Sequence, residues 1–275
     1  MATPLRITST DNPRVKAVVR LRDSRDRRAT GLFIAEGFRE VERALAARLR
    51  IVELYASPEV LGFDMAALTS RLPWHKEAGD ASMFDVTPNV LKKMAYRAEP
   101  EGLVAVFEQP RWDLSTLTAG LLLVGVGVEK PGNLGAMARS CAAAGAAGLL
   151  IVDEQVDPFN PNAIRASTGA VFSLPVISVG KDEFVAHLKA NGFRLLPAML
   201  VDRARPHTEV DFTGNVAIVI GPEDTGLPAE WAALAADSGG CPVVIPMNTH
   251  QVDSLNASVA AGVLLFEAVR QRSAR

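Results

Sequence analysis

The chain has 275 residues, 48% hydrophobic and 22% charged, which is enough apolar mass for two packed domains and excludes a disordered protein. Its net charge of −2 excludes a uniformly polycationic binder, yet residues 1–28 hold eight Lys/Arg against three Asp and leave the remainder acidic. That asymmetry fits a phosphate-facing end on an acidic body, or a solvated helix face with i,i+4 ion pairs. Two cysteines, Cys141 and Cys241, give neither a disulfide framework nor a metal pattern and are expected as buried thiols. The start of the chain lacks the apolar core of a signal peptide, and no apolar run reaches the roughly 18 residues that span a bilayer. A cytoplasmic protein is therefore expected.

Residues 12–28 read as a basic helix or arm. Residues 32–48 pass from a short apolar strand into an amphipathic helix, with Val41, Leu45 and Leu49 at helical spacing. A strand follows at 51–57, a helix at 64–72, a helix at 88–96 opened by Thr87-Pro88, and a strand at 102–108. Pro110, Ser115 and Gly120 then separate two strong strands. This predicts a small α/β domain over 1–108, a linker over 109–119 and a second domain over 120–275. In the second domain, strands at 121–128, 148–153, 175–179, 194–200, 216–221 and 242–247 alternate with helices at 134–145, 161–167, 182–191, 228–236 and 254–271. Continuously apolar strands of this kind are buried on both faces of a parallel sheet.

Three stretches carry polar residues at the ends of those strands: Asn133, Gly135 and Arg139 in GVEKPGNLGAMARS; Gly221, Pro222, Glu223 and Gly226 in IVIGPEDTGLP; and Ile245, Pro246, Ser254, Leu255 and Asn256 in VVIPMNTHQVDSLNASVAAGV. Open α/β sheets bind ligands at such ends. The glycine spacing fits neither a dinucleotide fingerprint nor a Walker A loop. Asn133 suits a helix cap. Arg139, on a small-residue helix, is either a surface side chain or an anion clamp. Gly221 would let a flat ligand approach the backbone. Glu223 is open between ligand contact, helix-end charge and solvated acid. Ser254 reads as the cap of the last helix, whose first turn also favours an anion. His75, His187, His207 and His250 show no metal spacing.

In this order, the three stretches resemble the SpoU/TrmH-type RNA 2′-O-ribose methyltransferases of the SPOUT superfamily: N-x-G-x-x-x-R, then I-G-x-E-x-x-G-L, then I-P-M with S-L-N-x-S. GLFIAEGFREVERAL in the first domain is similar to that family's L30e-like RNA substrate-binding domain. The resemblance implies a C-terminal trefoil-knotted methyltransferase domain with a mostly parallel sheet, and a homodimer formed through that domain whose subunits complete each other's sites. It implies S-adenosyl-L-methionine as cofactor, held by Ile220, Gly221, Ile245, Met247 and Leu255, and no metal. The catalytic set would be Arg139, Asn133, Glu223, Ser254 and Asn256. RNA, expected to be ribosomal, would meet Arg14, Lys16, Arg25, Arg27 and Arg28. Alternatives are an RNA-binding assembly factor without catalysis, a knotted base methyltransferase, or a tRNA 2′-O-methyltransferase. One departure stands out: seven positions separate Met247 from Ser254 where the family commonly has six, and Asn248-Thr249 replaces its usual x-Gly.

Overall fold

The structure, a computed structural model, describes residues 4–73, 81–248 and 253–273. The chain forms two units, Met1–Arg111 with Phe159–Ser173, and Trp112–Pro158 with Leu174–Arg275. The segment 159–173 lies inside the range that chain order assigns to the second domain, yet it packs as part of the first.

In the first unit, β1 (Leu5–Ile7), α1 (Pro13–Arg20), α2 (Ser24–Thr30), β2 (Leu32–Glu36), α3 (Phe38–Ala46), β3 (Ile51–Ala56), α4 (Pro58–Leu61), α5 (Met65–Arg71), β4 (Ser82–Val86), α6 (Pro88–Met94) and β5 (Leu103–Glu108) follow in order. The sheet runs β1-β4-β3-β5-β2, with β5 antiparallel to both neighbours. Phe33 of β2 sets the aromatic contacts that bring in the late segment: its ring lies 4.9 Å from Phe159, 5.4 Å from Phe172 and 5.7 Å from Phe107. The Glu36-Gly37 pair has a structural role. Buried Glu36 accepts the Tyr96 N–H at 2.9 Å and the Arg97 N–H at 3.2 Å. Gly37 has φ +93, and a Cβ there would meet Glu101 Oε2 at 2.6 Å, so the position needs glycine.

The expected basic arm is two short helices. Asp23 breaks it by accepting the Arg25 N–H at 2.7 Å as the cap of α2. Helix ends leave carbonyls without partners, and Arg27 fills that need. Its guanidinium donates to the Leu21 and Arg22 carbonyls at 2.9 and 2.8 Å, and the residue is 1% exposed.

The second unit contains β6 (Leu121–Val126), α7 (Pro131–Ala144) and β7 (Gly148–Val152); α8 (Pro161–Ser167) is the helix of the segment placed in the first unit. It continues with β8 (Val176–Val179), α9 (Lys181–Ala190), β9 (Arg194–Pro197), β10 (Arg205–Pro206), β11 (Val216–Ile220), α10 (Glu230–Asp237), β12 (Val243–Val244) and α11 (Ala257–Ser273). The main sheet, β8-β7-β6-β11-β9, is parallel throughout. Every residue of β6, β7 and β11 is buried, as their continuous apolar character requires. Strand order reverses at β6: the next strand in sequence lies on one side of it and β11 on the other, so a crevice opens between the loops that leave β6 and β11.

The last predicted strand is only two residues long, because it pairs outside the main sheet. β12 runs parallel to β10, and Val243 also bridges Ala198 on its other flank. The Met199 N–H donates to the Val243 carbonyl and the Arg205 N–H to the Pro242 carbonyl, both at 3.0 Å. Residues 199–204 thus pass from one side of β12 to the other. Cys141 is buried, which pushes its thiol up, whereas Cys241 is only half-buried because it sits in the turn before β12.

Gly240 closes the turn after α10 against β9: a Cβ there would lie 2.8 Å from the Leu195 carbonyl carbon and 2.9 Å from its nitrogen. Backbone atoms cannot move aside as a side chain can. Gly240→Ala is therefore expected to destabilise the protein by about 2 kcal/mol or more, read as a lower urea midpoint at unchanged m-value.

Candidate active site

Glu223 lies just beyond β11, and its carboxylate gathers groups from the starts of two helices. Oε1 accepts from Asn133 Nδ2 at 2.9 Å, from Asn256 Nδ2 at 2.6 Å and from the Ala257 N–H at 3.4 Å. Oε2 accepts from the Lys130 ammonium. Lys130 foremost, and then Asn133, hold the Glu223 carboxyl below the usual carboxylate range. Asn256 Nδ2 also donates to Asn133 Oδ1 at 3.0 Å, closing a triangle.

The local sequence explains why each side chain is available. Helix α7 starts at Pro131, so Asn133 sits in its first turn, with its N–H on the Lys130 carbonyl at 3.0 Å. Its amide is free to bridge Glu223 and Asn256, where a capping role was expected. The cap of α11 is Asn256: its Oδ1 accepts from the Ser258 N–H at 3.0 Å, the Ser258 hydroxyl at 2.6 Å and the Val259 N–H at 3.3 Å. Ser254 is not the cap. The helix begins at Ala257, and Ser254 is exposed in the loop before it.

Beside this cluster is a cavity of about 440 Å³, bordered by the loops after β9, β11 and β12 and by the approach to α11. The structure brings Ile220, Gly221, Ile245, Met247 and Leu255 to its wall, together with Glu223 and Ser254. Missed from sequence were Leu200 and Val201, whose exposed apolar side chains also border it, and the acids Asp224 and Asp253. The acids' signal is only their place within the recognised motifs, and that of Leu200 and Val201 their place at the end of the strand expected at 194–200. A Cβ on Gly221 would meet Leu227 Cγ at 2.8 Å and the Gly226 carbonyl carbon at 2.9 Å. That glycine therefore lets its own loop fold back, and it borders both this cavity and the one across the loop. A second cavity, of about 110 Å³, lies across the same loop and is bordered by Lys130, Asn133 and Glu129. Residues 249–252, with His250 and most of the lengthened loop, fall outside the described residues, as does His75.

Arg139 is not brought to either cavity. It is exposed on α7, and its neighbour Ser140 faces Gly262 of α11. Of the five residues expected to meet RNA, Arg27 is removed by its burial. Arg14 pairs with Glu53 and lies 4.9 Å from the Phe84 ring centroid, and Lys16 pairs with Asp11 at 2.9 Å. Arg25 and Arg28 are exposed. Among the described residues, no group of three or more His, Cys, Asp or Glu could hold a metal ion, and no helix is long and apolar enough to cross a membrane.

Residues 120–266 match the SpoU rRNA methylase family, and residues 12–105 match the MRM3-like substrate binding domain. The chain belongs to the SpoU rRNA methylase family and is an enzyme of that class. It is 28% identical to the 23S rRNA (guanosine(2553)-2′-O)-methyltransferase RlmP of Bacillus subtilis, over 94% of this chain and 97% of that protein. The AdoMet-bound rRNA methyltransferase from Sinorhizobium meliloti superposes with a TM-score of 0.83 at 32% identity, covering 96% and 97% of the two chains. The SpoU methyltransferase AviRb from Streptomyces viridochromogenes, solved with AdoMet, gives 0.81 at 28% identity, covering 95% and 98%.

Asn256 combines two jobs, capping α11 and tying Asn133 to Glu223. Asn256→Ala should cost about 1 kcal/mol for the cap alone, measured by chemical denaturation. Asn256→Ser keeps an acceptor for the cap but has no amide N–H for Glu223, so it should recover much of the capping share while still failing to restore the link.

Proposed function

We propose that the protein transfers the methyl group of S-adenosylmethionine to a ribose 2′-hydroxyl of ribosomal RNA, as a cytoplasmic enzyme. The observation that carries this reading is the Glu223 cluster, in which Asn133, Glu223 and Asn256 meet beside the cavity walled by Ile220, Gly221, Ile245, Met247 and Leu255. The cavity lies in the size range of cofactor sites. Its apolar wall suits an adenine, and Glu223, Asp224 and Asp253 suit a ligand bearing positive charge. When bound, the cofactor supplies a methyl group made electrophilic by its sulfonium. The protein's contribution is alignment and control of the hydroxyl proton.

Arg139 is assigned to the RNA. A guanidinium pairs bidentately with phosphate and stabilises charge developing on the attacking oxygen; its pKa above about 12 makes it a poor base. Asn133 and Ser254 orient the phosphate or Arg139, and Asn256 holds the ribose side of the loop. Because Arg139 is exposed and borders neither of the two cavities described above, the reading includes a homodimer in which it serves the partner's site. Val259 and Phe266, 51% and 50% exposed, support this. With half-buried Val263 between them at i, i+4 and i+7, they form one apolar stripe on α11. Leu264 of the same helix is fully buried in its own subunit. The passage of residues 199–204 around β12 supports the trefoil knot that the family resemblance implies. Phosphate contacts in the first unit fall to Arg14, Lys16, Arg25 and Arg28.

Incubation of purified protein with ribosomal RNA and the methyl donor, followed by alkaline hydrolysis, tests the reaction, because a 2′-O-methyl group protects its phosphodiester from cleavage. Methyl transfer to bases alone would overturn the ribose assignment. Arg139→Ala should lower turnover at least about a hundredfold and leave cofactor affinity within about threefold; turnover near that of the wild type would remove Arg139 from the mechanism. Val263→Asp should give a monomer by sedimentation with a matching loss of turnover. A wild type that is monomeric and fully active would end the shared-site reading.

A further inference from the structure

We propose that Lys130 is a positioning residue for methyl transfer: by occupying Glu223 Oε2 it fixes the rotation of that carboxylate and leaves Oε1 to hold Asn133, Asn256 and the first turn of α11. The proposal rests on the reading of this cleft as the methyl-transfer site.

Lys130 is out of place as a helix residue. It stands immediately before Pro131 at the start of α7, and its side chain is 66% exposed. A cation there is opposed by the helix dipole, so the stability of α7 does not call for a lysine. What it contacts does. The three donors to Oε1 come from two helix starts, at 2.9, 2.6 and 3.4 Å, while the Lys130 ammonium donates to Oε2. A carboxylate with one oxygen crowded and the other free can swing toward water. The ammonium pins the second oxygen. The carbonyl of the same residue receives the Asn133 and Leu134 N–H groups at 3.0 and 3.2 Å, so the residue that starts α7 also aims Glu223.

The surrounding charge points the same way. The described residues bordering the two cavities include four acids, Glu129, Glu223, Asp224 and Asp253, and a single cation, Lys130. Glu129 faces Lys130 from the loop after β6, Asp224 from the loop after β11, and Asp253 borders the larger cavity ahead of α11. An acidic mouth suits a cationic cofactor but repels an incoming phosphate, and Lys130 is what offsets it at the crevice. Its ammonium is also the foremost reason that Glu223 titrates below the ordinary carboxylate range.

The test compares Lys130→Met, Lys130→Arg and wild type, using full-length protein, methyl donor and ribosomal RNA. Lys130→Met is expected to lower kcat at least about tenfold, with cofactor Kd within about threefold. It should also raise the pH of the acid limb of the rate profile, together with the Glu223 carboxyl titration followed by 13C NMR. Lys130→Arg should restore most of the rate and return both titrations toward wild type. The exposed side chain contributes no core packing, and an unchanged melting profile would establish that the variants fold. An unmoved Glu223 titration, a normal kcat in Lys130→Met, or a Lys130→Arg variant as impaired as Lys130→Met would each overturn the proposal. Failure of the underlying reading is distinguishable: wild type would then neither bind the methyl donor nor modify RNA, whatever the carboxyl titration shows.

Discussion

Everything in the cleft depends on one carboxylate accepting from groups that are far apart in sequence. Glu223 joins Asn133, 90 residues before it, and Asn256, 33 residues after it. Each exposed hydrogen bond contributes only about 0.5–1.5 kcal/mol, so the cluster does not hold the domain together. The parallel sheet does that. β6 and β11 are adjacent and fully buried, which brings the loops after them within reach, and α11 packs across α7 and β11. The carboxylate then selects one arrangement of loops that the sheet has already brought close. Loss of its partners would cost alignment more than stability.

The second constraint is where β12 lies. A strand of the main sheet would extend that sheet and leave the region beyond β11 and β9 open. β12 instead lies between Ala198 and Arg205, so that residues 199–201, Ile245 and Met247 border one cavity with the β11 loop. Met199 and Leu227 of the cavity wall also belong to the core of the second unit, whereas Leu200 and Val201 are exposed. Leu200, 68% exposed, is a wall on one side and a solvent contact on the other.

Much of this was legible in the sequence because the physics involved is local. Continuous apolar runs located the strands of the second unit, and the polar residues at their ends located Asn133, Glu223 and Asn256. What was not legible depends on partners. Ser254 and Asn256 are both good caps, and only the observed helix start at Ala257 separates them. Arg27 looks like its neighbours Arg25 and Arg28 until the break at Asp23 supplies carbonyls for it to satisfy. Strands β1 and β4 are short, mixed in polarity and set by pairing with each other. The attachment of residues 159–173 to the first unit follows from aromatic packing on Phe33, which no spacing in the sequence announces. Lys130 escaped notice because a lysine before a proline in a loop has the look of a solvated residue.

The cleft as built lacks something a methyl transfer to a hydroxyl requires. The attacking oxygen gains negative charge as its proton leaves, and that charge needs a cation close by. The one cation among the described residues bordering the cavities is already committed to Glu223. Freeing it would release the carboxylate next to an incoming phosphate. On the proposed reading, the charge comes from outside these two cavity walls. Arg139 is exposed on α7, beside the helix that carries the apolar stripe, so in the proposed dimer a second copy docked on that stripe would supply the charge without adding another cation to the cofactor's own wall. Separating the cation from the cofactor cavity has a physical advantage. A guanidinium lining that cavity would repel a sulfonium ligand, whereas one delivered from a partner meets only the RNA. Activity would then follow the dimer population, by mass action, more closely than it follows the occupancy of the cavity.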